Sequence, residues 1–125
     1  MGSVSRLQTA QEPPVRSPKP QAADLVAALV LIADGDPASR DARETQLRSA
    51  GLRVSVARTG FEAIVKASCH VPDLILLDDS LTGIEPAETA RLLKTCPVTA
   101  HIAVIRLTHG RRVPRRVLSG LSRAV

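Results

Sequence analysis

Three polar residues stand immediately after apolar runs that are far apart in the chain: Asp34 after LVAALVLIA (25–33), Asp78 after LILL (74–77) and Thr108 after IAVIRL (102–107). If those runs are strands of one parallel sheet, their carboxyl ends share a rim, and ligands in such sheets sit at that rim. Two carboxylates and a hydroxyl would then converge. Clustered carboxylates repel until a cation neutralises them, and Mg²⁺ is satisfied by one or two carboxylates with water and phosphate oxygens. A carboxylate in that setting can attack a phosphodonor while the cation and a hydroxyl hold the phosphoryl oxygens. The chemistry expected of these three residues is phosphoryl capture.

The elements needed to bring them together are legible along the chain. The alternating run LRVSVA (52–57) adds a fourth strand, and its alternation suits a sheet edge. Helical segments lie between the runs. The first follows Asp36-Pro37, with Asp36 as cap and Pro37 in the first turn, places Ala38, Ala42, Leu47 and Ala50 on one face, and stops at Gly51. The second starts at Thr59-Gly60 and carries Phe61, Ile64 and Val65 at helical spacing, with Ser68 continuing that face. A third follows Glu85-Pro86 with Ala87, Ala90 and Leu93. RRVPRRVLSGLSRAV (111–125) forms a basic amphipathic helix with Val113, Val117, Leu121 and Ala124 on its apolar face. Strand and helix in alternation imply crossover connections and a doubly wound parallel α/β sheet.

Composition narrows the class. With 125 residues, 44% hydrophobic and 23% charged, the chain makes one small domain. Residues 1–24, holding four of the nine prolines and no apolar period, read as a flexible tail, leaving 25–125 as the domain. Phe61 is the sole aromatic residue, so the core must be built from Leu, Ile, Val and Ala. Two cysteines, Cys69 and Cys96, make no disulfide framework, and a cytoplasmic location is expected. The net charge of +5 is concentrated at one end, since five arginines and no acidic residue lie in 111–125. Without interleaved aromatics they predict no sequence-specific nucleic-acid binding. The run at 25–33 is too short to span a bilayer and ends in Asp-Gly-Asp-Pro instead of a small-residue cleavage site, so no membrane partner is expected. His70 beside Cys69 lacks a second pair at ligand spacing, which argues against zinc. Asp79 reads as a solvated loop residue and His101 as a surface residue at a strand entry.

In their order and spacing, LVLIADGDP, PDLILLDDSLTG and HIAVIRLTHG resemble the receiver domain of bacterial two-component response regulators, from about Leu25 to Gly110. The resemblance implies a flavodoxin-like receiver fold of order 2-1-3-4-5, here 2-1-3-4 with the fifth strand missing. It implies a stand-alone receiver in a phosphorelay, not an enzyme beyond its own phosphorylation and dephosphorylation. Its partners would be a sensor histidine kinase or phosphotransfer protein and an output protein reached by protein–protein contact. Carried over by position, Asp78 is the phosphoacceptor, and Asp34, Asp78 and the Ser80 backbone carbonyl hold Mg²⁺. Thr108 is the switch hydroxyl.

Several positions depart from the family pattern. Gly35 stands where a second acidic residue usually supplies the main metal carboxylate, leaving Asp36 as the substitute and Mg²⁺ binding weak. Thr82 and Pro86 replace a usual proline and glycine in the loop after Asp78. His109 fills a normally small position and would restrict access to Asp78. The family's lysine after strand five has no counterpart, because no lysine follows Lys94. The fourth strand would then expose an edge, with Arg106 turned to solvent, to be covered by the fourth helix, a partner or a second copy in a homodimer. Two other readings follow from the residues. A degenerate pseudo-receiver would bind partners without phosphorylation. Asp34-Gly35-Asp36 with Asp78-Asp79 also resembles the acidic motifs of haloacid dehalogenase-like phosphatases, which would release phosphate catalytically.

Overall fold

The computed structural model describes residues 27–124; the tail expected over 1–24 lies outside the described residues. Four strands form: β1 (Leu29–Ala33), β2 (Arg53–Ala57), β3 (Leu74–Asp78) and β4 (Ala103–Leu107). Each successive pair is joined through a helix: α1 (Pro37–Ser49), α2 (Gly60–His70) and α3 (Pro86–Thr95). Helix α4 (Arg115–Ala124) follows the last strand. The sheet is parallel throughout, in the order β2-β1-β3-β4. Strands β1 and β3 are buried on both faces, which is why their sequences run without alternation.

Period-two alternation along each strand divides the core into two layers. Val30, Ile32, Leu74, Leu76 and Leu107 face one way and meet Leu47 of α1, with Val113, Val117, Leu118 and Leu121 closing over them. Leu31, Ala33, Ile75 and Leu77 face the other way, onto Ala63 and Ala67 of α2 and Leu93 of α3. Helix α4 thus packs on the same side as α1. No helix among the described residues is long and apolar enough to cross a membrane.

The helix boundaries follow their local signals. The Asp36 carboxylate accepts from the Ala38 amide at the start of α1, and Gly51 takes φ 87° just past its end. Thr59 caps α2 by accepting from the Glu62 amide at 3.1 Å. The buried faces differ from the expected ones. In α1 Leu47 is buried as expected, but Ala38 and Ala42 are exposed and Arg43 is buried in their place. In α2 Phe61 is 67% exposed and Val65 44%, whereas Gly60, Ala63 and Ala67 are buried. A side chain at Gly60 would meet the Ile84 backbone oxygen at 2.9 Å, so the small residues mark where α2 approaches the chain leading into α3 most closely. Size decided the contact, and hydrophobicity alone selected the wrong stripe.

Candidate functional site

The register places the expected residues at one rim. Ala33 pairs with Leu77 and Asp78 with Leu107, so Asp34, Asp78 and Thr108 lie at or just beyond three adjacent strand ends. Asp34 and Asp78 are fully buried. The Asp34 carboxylate accepts from the Asp36 amide at 2.9 Å and from the Ser39 hydroxyl at 2.6 Å. Asp78 Oδ2 accepts from the Ser80 amide at 2.8 Å, from the Ser80 hydroxyl, and from His109 Nδ1 at 3.0 Å. His109 Nε2 lies 3.4 Å from Asp36.

Between the two carboxylates lies the guanidinium of Arg43, a residue of α1 that is 2% exposed. Its Nη1 donates to Asp78 Oδ1 at 2.6 Å and to Asp34 Oδ2 at 3.2 Å. Nη2 donates to the backbone carbonyls of Thr108 and Arg111, each at 2.9 Å, and Nε donates to Arg111 at 3.1 Å. These five contacts match the five N–H donors of a guanidinium. One α1 turn on, the Gln46 side-chain amide exchanges two 2.9 Å hydrogen bonds with the Val113 backbone. Arg43 and Gln46 together fasten the segment after β4 to α1. Burial alone pushes the Asp78 carboxyl up. The hydrogen bonds from Ser80, Arg43 and His109 outweigh it and hold the carboxyl below its ordinary value of 3.8, so it stays ionised.

Of the residues expected at the site, Asp34, Asp36, Asp78 and Ser80 come together. The atoms of Ser80 that engage Asp78 are its amide and hydroxyl. Thr108 is exposed and contributes through its backbone carbonyl to Arg43. His109 covers Asp78 on the side open to solvent, with its own side chain 45% exposed. Asp79 is exposed and pairs with Arg106, also exposed, at 3.3 Å. The second cluster considered, Cys69 with His70, is exposed at the end of α2, and His101 is exposed before β4. Arg43, Ser39 and Gln46 were missed. The signal was present as helical spacing: Ser39, Arg43 and Leu47 recur every four residues on one face, and Leu47 is fully buried.

Asp34, Asp78 and His109 each offer a metal-capable atom within 4.8 Å of the others. The arrangement nonetheless does not fit Mg²⁺. All four carboxylate oxygens already accept from protein donors, and a positive guanidinium bridges Asp34 to Asp78. At the departure Gly35, an added Cβ would lie 3.3 Å from the Arg58 carbonyl oxygen, a tight fit for any larger residue.

A family profile described as the response regulator receiver domain matches residues 30–119. Response regulator PleD of Caulobacter vibrioides is 34% identical over 83 residues, covering 66% of this chain and 18% of PleD. The gliding motility regulatory protein of Myxococcus xanthus is 35% identical over 79 residues, covering 63% of this chain and 10% of that protein. The chain thus spans less than a fifth of the curated relatives it matches. Among solved structures, the N-terminal domain of a response regulator receiver protein from Methanoculleus marisnigri superposes with a TM-score of 0.63 at 30% identity, covering 74% of this chain and 75% of that one. The receiver domain of sensor histidine kinase PA1611 from Pseudomonas aeruginosa, with magnesium coordinated in its active-site cleft, gives 0.68 at 20% identity over 76% and 97% of the two chains. That last likeness concerns the fold.

Proposed function

This chain belongs to the response regulator receiver domain family, and on that premise we propose that Asp78 accepts a phosphoryl group from a phosphohistidine. The donor would be a sensor histidine kinase or a phosphotransfer protein. In the transfer, an Asp78 carboxylate oxygen forms the new bond to phosphorus while the phosphorus–nitrogen bond breaks, and the leaving imidazole takes the electron pair. Oδ2, which faces the exposed residues Ser80 and His109, is the oxygen suited to attack. The observation that carries this reading is Asp78 itself: a buried carboxylate at the end of a central strand, kept ionised by a cation and by hydrogen-bond donors. Arg43 Nη1, bonded to Asp78 Oδ1, would supply positive charge beside a phosphoryl group, as the resemblance gives the family's lysine to do. The expected Mg²⁺ site at Asp34, Asp78 and Ser80, with Asp36 in reserve, is not part of the proposal, because Arg43 bridges the same carboxylates.

The domain would signal from the cytoplasm by contact with an output protein, with Thr108 as the mobile hydroxyl. The outer edge of β4 pairs with no strand among the described residues. A charged residue at an edge blunts it, and Arg106, paired with Asp79, stands there. A homodimer through this edge would have to open that pair.

Intact-mass spectrometry after incubation with a small-molecule phosphodonor tests the assignment. One phosphoryl adduct, lost in Asp78→Asn, is expected. Slow loss of that adduct without catalytic phosphate release also separates a receiver from the haloacid dehalogenase-like reading, which family membership displaces. A second reading, a pseudo-receiver that binds partners without phosphorylation, is favoured by one observation: both oxygens of Asp78 are already engaged, by Arg43 on one side and by Ser80 and His109 on the other. Absence of any adduct from folded protein would replace the first reading with this one.

A further inference from the structure

We propose that Arg43 is the resident cation of the acidic rim and stands in for a bound divalent metal. Asp34 and Asp78 are both fully buried, and two buried carboxylates facing one rim need positive charge between them. Arg43 supplies it by bonding both through a single nitrogen. Its remaining donors are taken by the Thr108 and Arg111 carbonyls, so the guanidinium is saturated where it lies. It is also rooted in a helix that Gln46 ties to the same segment, so the cation and its carbonyl acceptors are held as one unit.

A metal ligated by both carboxylates would have to break two ion pairs and displace a buried guanidinium that has lost its acceptors. Metal and Arg43 therefore compete for one position. The inference concerns the cation of the site and holds whether or not Asp78 is phosphorylated. A Mg²⁺ measurement without phosphodonor can fail while the mass assay succeeds, and the reverse.

The test is thermal unfolding and calorimetric titration of the whole chain with MgCl₂. A ligand that binds only the folded state raises stability with its concentration, and about 10 mM Mg²⁺ on a site of Kd about 0.5 mM shifts the folding equilibrium about 20-fold. Wild type is expected to show no such shift. Arg43→Gln is expected to melt at a lower temperature without metal, to recover by several degrees with Mg²⁺, and to lose that recovery when Asp78→Asn is added. Gln46→Ala, which loosens the same segment but leaves the cation in place, is expected to lower the melting temperature with no Mg²⁺ response. Should Arg43→Gln fail to fold, Arg43→Lys, which keeps the charge with fewer donors, is expected to respond to Mg²⁺ more than wild type and supplies the comparison. Wild-type Mg²⁺ binding with Kd below about 1 mM would overturn the proposal. So would an Arg43 variant that folds and binds Mg²⁺ no better than wild type.

Discussion

The two sides of the sheet are closed by different means. On the α2 and α3 side the closure is one of shape: Ala63, Ala67, Leu93 and Ile102 fill the layer, and Gly60 lets α2 come within contact of Ile84 and Thr89. On the α1 and α4 side an apolar layer around Leu47 is joined at the rim by a buried charge network. There Arg43 binds two carboxylates and two carbonyls, and Gln46 binds Val113. The difference teaches where this domain can tolerate change. A packing layer loses stability in proportion to volume and fit. A buried network fails when one partner is removed, because the others are left charged and dry.

The largest effect expected from breaking this contrast is on the charged side. Arg43→Gln leaves Asp34 and Asp78 buried without their countercharge and should cost about 3–5 kcal/mol in denaturant unfolding. Double substitution with Asp34→Asn should cost less than the sum of the two single changes, since the groups share one network. An additive result would mean that the guanidinium and the carboxylates do not act together.

A smaller effect is expected on the packed side. Gly60→Val places a side chain against the Ile84 backbone oxygen and Thr89, and should cost about 1–3 kcal/mol by overpacking. Because the strain is steric, the loss should be the same at low and at high salt. Salt dependence would show that the two sides are not separate in kind.

The third prediction sharpens the comparison through pH. Asp78 has a carboxyl held below its ordinary value in the folded protein, so its contribution to stability is complete above the unfolded pKa near 3.8 and is lost as pH falls through the lower folded value. In that window the unfolded chain binds more protons than the folded one, and stability rises with pH. Asp78→Asn should flatten that part of the stability curve, whereas Gly60→Val should shift the curve down without changing its slope. An Asp78→Asn curve as steep as wild type would place the acid sensitivity elsewhere.

Much of the architecture was legible because it depends on short-range pattern. The apolar runs found at 25–33, 52–57 and 102–107 contain β1, β2 and β4, the run at 74–77 covers β3 up to its last residue, and Asp36-Pro37, Thr59-Gly60 and Glu85-Pro86 mark the starts of three helices. The convergence of Asp34 and Asp78 was legible too, since strand ends in a parallel sheet share a rim. The helix faces were legible only in part: Leu47, Leu93, Val117 and Leu121 pack inward as expected. In α1 and α2 the search for large apolar residues passed over Arg43, Ala63 and Ala67 and favoured Phe61 and Val65, which face outward. A charged residue is assigned to solvent by its type, and only the position of its acceptors reveals that burial is tolerable.

By itself, the sequence determined the order of elements, their parallel pairing and the meeting of two aspartates at one edge of the sheet, because hydrophobic period and chain connectivity leave few alternatives. The tertiary structure decided which cation answers those aspartates. Asp34, Arg43, Asp78, Thr108 and Arg111 come from four separate stretches of chain, and the bond pattern of a guanidinium depends on angstrom-scale placement of all of them at once. No spacing rule in one dimension encodes that placement.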